Sequence, residues 1–79
     1  MIKVAVKILP RPEVLDTQGR AVSEILNKQG HDLHQCQVGR YVVLEMEETS
    51  KDEALKRAQA MAEKVLHNPL IEVFEAEVL

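Results

Sequence analysis

The residue types best suited to chemistry lie together in the pattern H-x₂-H-x-C, formed by His31, His34 and Cys36. Imidazole and thiolate groups bind zinc, and a thiol beside an imidazole can also act as a nucleophile. On an alternating strand, however, His34 and Cys36 share a face while His31 lies in a turn, and no fourth ligand is near. A cysteine in the middle of a strand also lacks the electropositive setting of a reactive thiol. We therefore predict no metal site and no nucleophile, and interpret Cys36 as a small buried apolar residue.

The acidic residues also have structural explanations. Asp16 could act as a general base, but it has no proton-transfer partner beside it, and its place before a helix predicts a capping role. The glutamates between 45 and 48 and between 72 and 77 are interpreted as solvated or edge-protecting groups. The basic residues near 51–64 accompany no phosphate-binding glycine loop. We predict no catalytic residue and no cofactor bound by this chain.

The composition of the chain limits the possible kinds of protein further. A chain of 79 residues predicts a single domain, 1–79, with a thin stability margin. Ten basic and thirteen acidic residues give a formal charge of −3, which argues against nucleic-acid binding. The sequence contains no signal-peptide pattern and no apolar run of membrane-spanning length, and a lone cysteine gives no disulfide. These features predict a cytoplasmic protein that contacts no membrane.

Two helices are predicted from caps and periodicity. Asp16 is placed to cap the first helix, whose buried stripe would be Ala21, Val22, Ile25 and Leu26, and Gly30 sits where a left-handed residue ends it. Gly19 in its first turn is unfavourable for a helix, which suggests close approach of a neighbouring backbone. The second helix begins with the capping box Ser50 and Glu53 and stops before Pro69. Its predicted stripe comprises Ala54, Leu55, Ala58, Met61, Ala62, Val65 and Leu66.

Four strands are predicted from period-two alternation. The first covers 2–8, a hairpin joins 33–38 to 41–47 through a turn at Gly39-Arg40, and the last covers 70–79. The order predicts an α+β fold: a βαββαβ two-layer sandwich related to ferredoxin-like folds, with a four-stranded antiparallel sheet and two helices on one face. The other sheet face would expose Leu9, Tyr41, Val43, Ile71 and Val73, so we expect at least a homodimer, or a tetramer, formed through this face.

Three stretches together resemble the PurS family, the small subunit of bacterial and archaeal phosphoribosylformylglycinamidine (FGAM) synthase. They are V-L-D-T-Q-G-R-A-V at 14–22, V-G-R at 38–40 and K-V-L-H-N-P-L-I-E at 64–72. The family's usual forms are V-L-D-P-Q-G-x-A-V, R-x-G-K and K-L-L-A-N-P-V-I-E-D-Y. Thr17 replaces a common proline, and Gln37 and Arg40 stand where arginine and lysine are frequent.

The resemblance implies a noncatalytic role in purine biosynthesis. In the family, a PurQ glutaminase releases ammonia and an ATP-dependent PurL synthetase uses it to form the amidine, while PurS bridges them and supports ammonia transfer. ATP and Mg are expected on PurL. The residues expected to contact partners or shape these motifs are Asp16, Gln18, Gly19, Gly39, Arg40, Asn68 and Pro69. The alternative is a regulatory module that binds a small ligand, since βαββαβ domains often bind effectors between subunits.

Overall fold

A computed structural model describes residues 1–79, with two helices and three strands. The elements in chain order are β1 (Ile2–Pro10), α1 (Thr17–Lys28), β2 (Arg40–Met46), α2 (Lys51–Met61) and β3 (Glu72–Val78). A π-helical turn, Ala62–Leu66, follows α2 directly. The α+β class is therefore confirmed. None of the helices combines the length and apolarity needed to cross a membrane.

The sheet has the order β2-β1-β3, and β1 runs antiparallel to both neighbours. Val6, at its centre, lies opposite Val42 of β2 and Ala76 of β3. Because side chains alternate along a strand, one face presents the apolar residues of all three strands to α2. The other face has no layer over it. The predicted alternation of β2 and β3 is confirmed, with Leu44 and Phe74 on the covered face.

The predicted fourth strand is wrong. Residues 33–38, called the arm below, form no strand and no hairpin with β2. A two-residue hairpin needs positive φ angles at its turn, and Gly30 is the one residue in the chain with positive φ. The backbone at Gly39-Arg40 therefore does not reverse, and the arm leads directly into β2.

The first helix does not pack as predicted. α1 makes at most marginal contact with the sheet or α2. Its expected buried stripe is largely bare, with Val22 39% and Ile25 57% exposed, so the expectation of two helices on one sheet face is wrong for this chain. The protein is elongated, measuring 48 × 25 × 14 Å, and its radius of gyration of 15.6 Å exceeds the roughly 12 Å of a compact chain of this length.

The core lies between α2 and the sheet. Ala54, Ala58 and Ala62 are fully buried against the Val4, Val6 and Ile8 face of β1, because small side chains let the helix approach the sheet closely. Ser50 caps α2, with its Oγ accepting a 3.4 Å hydrogen bond from the Glu53 N–H, as predicted.

The stripe prediction fails at Val65, which is 80% exposed. In the π-helical turn the His67 N–H donates to the carbonyl of Ala62, five residues back. The extra residue per turn rotates Val65 away from the sheet, which a regular 3.6-residue period does not anticipate.

Candidate functional site

The three stretches that resemble the family motifs come together at one end of the sheet. Because β1 is antiparallel to both neighbours, its end lies beside the starts of β2 and β3, with Ile8 opposite Arg40 and Pro10 opposite Glu72. We call this end, with the segments 11–22, 33–40 and 67–72, the loop end. The candidate site is built from hydrogen bonds among these segments.

Asp16 joins two of the segments. Its Oδ1 accepts a 2.9 Å hydrogen bond from the Gly19 N–H, which confirms the predicted cap of α1. Its Oδ2 accepts a second 2.9 Å bond from the Val38 N–H at the end of the arm, 22 residues away. The Gly19 and Val38 N–H groups hold the pKa of the Asp16 carboxyl below its ordinary value of 3.8, with a smaller contribution from Gln18 and an opposing one from desolvation. Both oxygens bind backbone groups, so Asp16 acts as a structural anion.

Gly19 lets the arm approach α1. A Cβ atom at this position would overlap the carbonyl oxygen of Cys36 and the Asp16 carboxylate. The predicted close backbone approach is therefore confirmed, and the approaching backbone belongs to the arm of the same chain. Gln18, the next residue of the motif, is exposed in the first turn of α1.

Gly39 and Arg40 occupy the junction between the arm and β2, not the hairpin tip that the sequence predicted. A Cβ atom at Gly39 would overlap the carbonyl oxygen of Ile8, so glycine allows the backbone to lie close beside β1 as it enters β2. The Arg40 Nη2 donates to the Glu72 Oε1 at 2.6 Å. This ion pair links the start of β2 to the start of β3.

Asn68 and Pro69 form the turn into β3. The Asn68 Oδ1 accepts from the Leu70 N–H at 3.0 Å, an Asx turn, and the Asn68 N–H donates to the Glu72 Oε1 at 2.8 Å. The Arg11 Nε and Nη2 donate to the Pro69 carbonyl at 3.0 and 2.8 Å. Sequence reasoning missed Arg11 and Glu72, because an arginine between two prolines and a glutamate in an alternating run give no periodic signal.

A groove of about 370 Å³ separates α1 from the arm. Gly19, Arg20, Ser23 and Glu24 line its helical side, and His34, Gln35 and Cys36 line the other. Cys36 is only half-buried, so its predicted burial is wrong. His31 and His34 are exposed. No group of three or more His, Cys, Asp or Glu residues is arranged to hold a metal ion.

The uncovered sheet face is partly apolar, as the alternation predicted. Tyr41 is 57%, Val43 47% and Val73 39% exposed, and Ile71, just before β3, is 44% exposed. Charged residues surround these side chains, and Lys3 pairs with Glu45 at 3.4 Å and Lys7 with Glu77 at 3.9 Å. We call the apolar set Leu9, Tyr41, Val43, Ile71 and Val73 the bare patch. A patch with a polar surround is typical of protein interfaces.

The fold and the loop end define a small α+β domain whose motif segments are hydrogen-bonded to one another. Comparison with known protein families identifies the family of this domain. The chain belongs to the PurS family: the family model, described as phosphoribosylformylglycinamidine (FGAM) synthase, matches residues 3–79. Proteins of this family are named as subunits of FGAM synthase.

Individual relatives agree over nearly the full chain. The FGAM synthase subunit PurS of Bacillus subtilis is 33% identical, covering 99% of this chain and 93% of the relative. A crystal structure of B. subtilis PurS has a TM-score of 0.82 at 32% identity, covering 100% of this chain and 99% of that one. A chain in the structure of PurLQS from Thermotoga maritima has a TM-score of 0.89 at 26% identity, covering 99% and 96%.

Proposed function

We propose that this chain is the noncatalytic assembly subunit of a glutamine-dependent FGAM synthase in de novo purine biosynthesis. It bridges a PurQ glutaminase and an ATP-dependent PurL synthetase and supports the transfer of ammonia between them. The chain contributes to catalysis only within that complex. ATP and Mg belong to the PurL partner, and a cytoplasmic location accords with this role.

One observation supports this role most directly. The three motif stretches, which are far apart in the sequence, are bonded to one another at the loop end by Asp16, Arg40 and Glu72. Their polar groups are used to fix backbone positions, which is what a rigid contact surface requires. The similarity to a chain in the PurLQS structure from T. maritima supports the choice of partners.

The motif residues have different roles within the proposal. Gln18 is exposed, and the Arg40 side chain is 55% exposed beside its ion pair, so these two are placed to contact a partner. Asp16, Gly19 and Gly39 fix the backbone beneath them. Asn68 and Pro69 set the direction in which β3 begins.

Self-association is part of the same proposal. The chain exposes 5901 Å², roughly 1,100 Å² more than the value of about 4,800 Å² for a compact protein of 8.9 kDa. A standard interface buries about 800 Å² per partner, so the excess is sufficient for one. Tyr41, Val43, Ile71 and Val73 of the bare patch are the dimer face in this proposal.

Reconstitution of the synthetase tests the role. PurL and PurQ from the same organism are assayed for FGAM formation with and without this chain, using either glutamine or an ammonium salt as nitrogen donor. The chain should be required with glutamine and much less required with ammonium, because added ammonia needs no transfer between subunits. Full glutamine-dependent activity without the chain would contradict the proposal.

The groove between α1 and the arm favours a second candidate, a regulatory module that binds a small ligand. Its volume of about 370 Å³ lies within the usual range of small-molecule sites. A ligand that binds the folded state raises the melting temperature by mass action. Glutamine, ATP and FGAM are tested separately on the isolated chain. A shift that saturates with one of them would support the regulatory module, and unchanged melting would support the assembly role.

A further inference from the structure

The clearest unexplained feature of the fold is the π-helical turn that ends α2. It spans Ala62–Leu66, and the His67 N–H donates to the Ala62 carbonyl at 3.3 Å, five residues back instead of four. The turn leaves Val65 80% exposed, although the regular period of α2 places this residue on the sheet side. π-Helical turns are rare and occur often at functional sites. A specific contact must therefore favour the π register here over the regular α-helical register.

The His67 side chain supplies that contact. Its Nδ1 lies 2.6 Å from the same Ala62 carbonyl oxygen that accepts from the His67 backbone. Because a carbonyl oxygen can only accept, Nδ1 carries the proton and donates it. In a regular α-helix the His67 N–H would donate to the Glu63 carbonyl, and the two bonds would no longer share an acceptor.

The imidazole ring is also held by β3. The rings of His67 and Phe74 meet edge to face, with their centroids 4.8 Å apart and their planes at 65°. Phe74 packs in turn against the core cluster that contains Val6 and Ile8. The ring of His67 is therefore half-buried between the end of α2 and the sheet.

The two registers differ by an exchange of one burial for one hydrogen bond. In the π register the Ala62 carbonyl binds two donors and Val65 lies in water. In the α register Val65 would return to the buried stripe, but the ring nitrogen would lose its acceptor. Because burying a valine side chain and making a hydrogen bond contribute free energies of similar size, one ring contact can decide between the registers. Residues 67–71 form no helix or strand and can absorb the change of one residue.

We propose that residues 62–66 form an element with two registers, and that His67 is the positioning residue that holds it in the π register. The side chain of Val65 is thereby kept at the surface. The register decides whether the motif stretch 64–72 presents this apolar side chain to other molecules or buries it. A contact that favours exposed Val65 would stabilise the same register. This device goes beyond the assembly role and does not depend on it, because it is tested on the isolated chain.

The experiment measures which carbonyl accepts the amide of residue 67. Scalar couplings between amide nitrogen and carbonyl carbon across hydrogen bonds can be measured by NMR in a chain of 8.9 kDa. The wild-type His67 amide should couple to the Ala62 carbonyl. In His67→Ala the amide of residue 67 should couple to the Glu63 carbonyl instead. A coupling to Ala62 that persists in His67→Ala would overturn the proposal.

Two amide variants form a matched pair. His67→Asn places a side-chain N–H close to the position of Nδ1 and should keep the coupling to Ala62. His67→Gln, one methylene longer, places its N–H farther out and should show the coupling to Glu63. Both variants lose the contact of the imidazole with Phe74, so that loss alone cannot separate them. The same register in both would contradict the role of the ring bond, and this pair decides the matter if His67→Ala does not fold.

Thiol labelling measures the exposure of residue 65 directly. In a Cys36→Ser background, the thiol of Val65→Cys should react as fast as that of Ala60→Cys, which lies at an exposed site of α2. Adding His67→Ala should slow the reaction of the Val65→Cys thiol at least tenfold and leave that of Ala60→Cys unchanged. Equal labelling of Val65→Cys with and without His67 would show that His67 does not hold Val65 at the surface.

Discussion

The carbonyl oxygen of Cys36 occupies the space beside Gly19 where any other residue would carry a Cβ atom. The first turn of α1 and the arm are therefore in backbone contact, and the Asp16 carboxylate closes the contact on its other side. This relationship joins two of the three segments of the loop end, although they are distant in the sequence.

Gly19→Ala should destabilise the protein despite the higher helix propensity of alanine. The gain of roughly 0.5–1 kcal/mol in helix propensity is outweighed by overpacking against Cys36 and Asp16, which costs about 3 kcal/mol. Urea unfolding measures the difference. Gly30→Ala is the matched comparison, because Gly30 has a φ of 98° but open space around it, so only about 1 kcal/mol of backbone strain is expected. A smaller loss at Gly19 than at Gly30 would refute the close contact.

Asp16 should make stability depend on acid pH. Its pKa is lower in the folded chain than its ordinary value of 3.8, so its contribution is fully present above that value and is lost as pH falls through the folded pKa. Unfolding midpoints measured from pH 7 to pH 2 should show wild type above Asp16→Asn at neutral pH and the gap closing in acid. The amide of the Asp16→Asn variant keeps one acceptor oxygen, so Asp16→Ala should be less stable still. A gap independent of pH would contradict this account.

Glu72 should matter more for stability than its partner Arg40. The Glu72 Oε1 accepts from both the Arg40 side chain and the Asn68 N–H, and the Glu72 side chain is only 20% exposed. Glu72→Ala should cost about 1–2 kcal/mol, whereas Arg40→Ala, a half-exposed cation, should cost below about 1 kcal/mol. A double-mutant cycle by urea unfolding separates the pair from the Asn68 bond. Equal losses would mean that the Asn68 bond contributes nothing.

Val43→Glu should weaken self-association through the bare patch. A carboxylate at this 47% exposed site would be buried without a partner in an interface, which raises the dissociation constant by about tenfold or more. Sedimentation equilibrium measures it. Gln59→Glu adds the same charge on an exposed site of α2 and should have no effect. An unchanged dissociation constant for Val43→Glu would place the interface elsewhere.

Local patterns in the sequence predicted the local structure well. The caps at Asp16 and Ser50, the left-handed Gly30 and the alternating faces of β2 and β3 depend on residues a few positions apart, and all are confirmed. The bare patch follows from the same alternation.

Most of the errors concern contacts between residues that are far apart in the chain. The bond from Asp16 to Val38 spans 22 residues and has no periodic signature, so local alternation alone predicts that the arm pairs as a strand. The apolar stripe of α1 predicts that its side chains are buried, but in this chain Val22 and Ile25 are exposed. Val65 departs from the predicted stripe because a π-helical turn breaks the regular period. Arg11 and Glu72 act through single side-chain bonds, which alternation does not reveal.

The central position of β1 also affects how the chain folds during synthesis. This strand is made first, yet both of its neighbours come later, and the register with β3 joins Val4 to Val78. Until β3 leaves the ribosome, one edge of β1 has no hydrogen-bonding partner and can bind other nascent chains. The three-stranded sheet can therefore be completed only after β3, Glu72–Val78, has been synthesised.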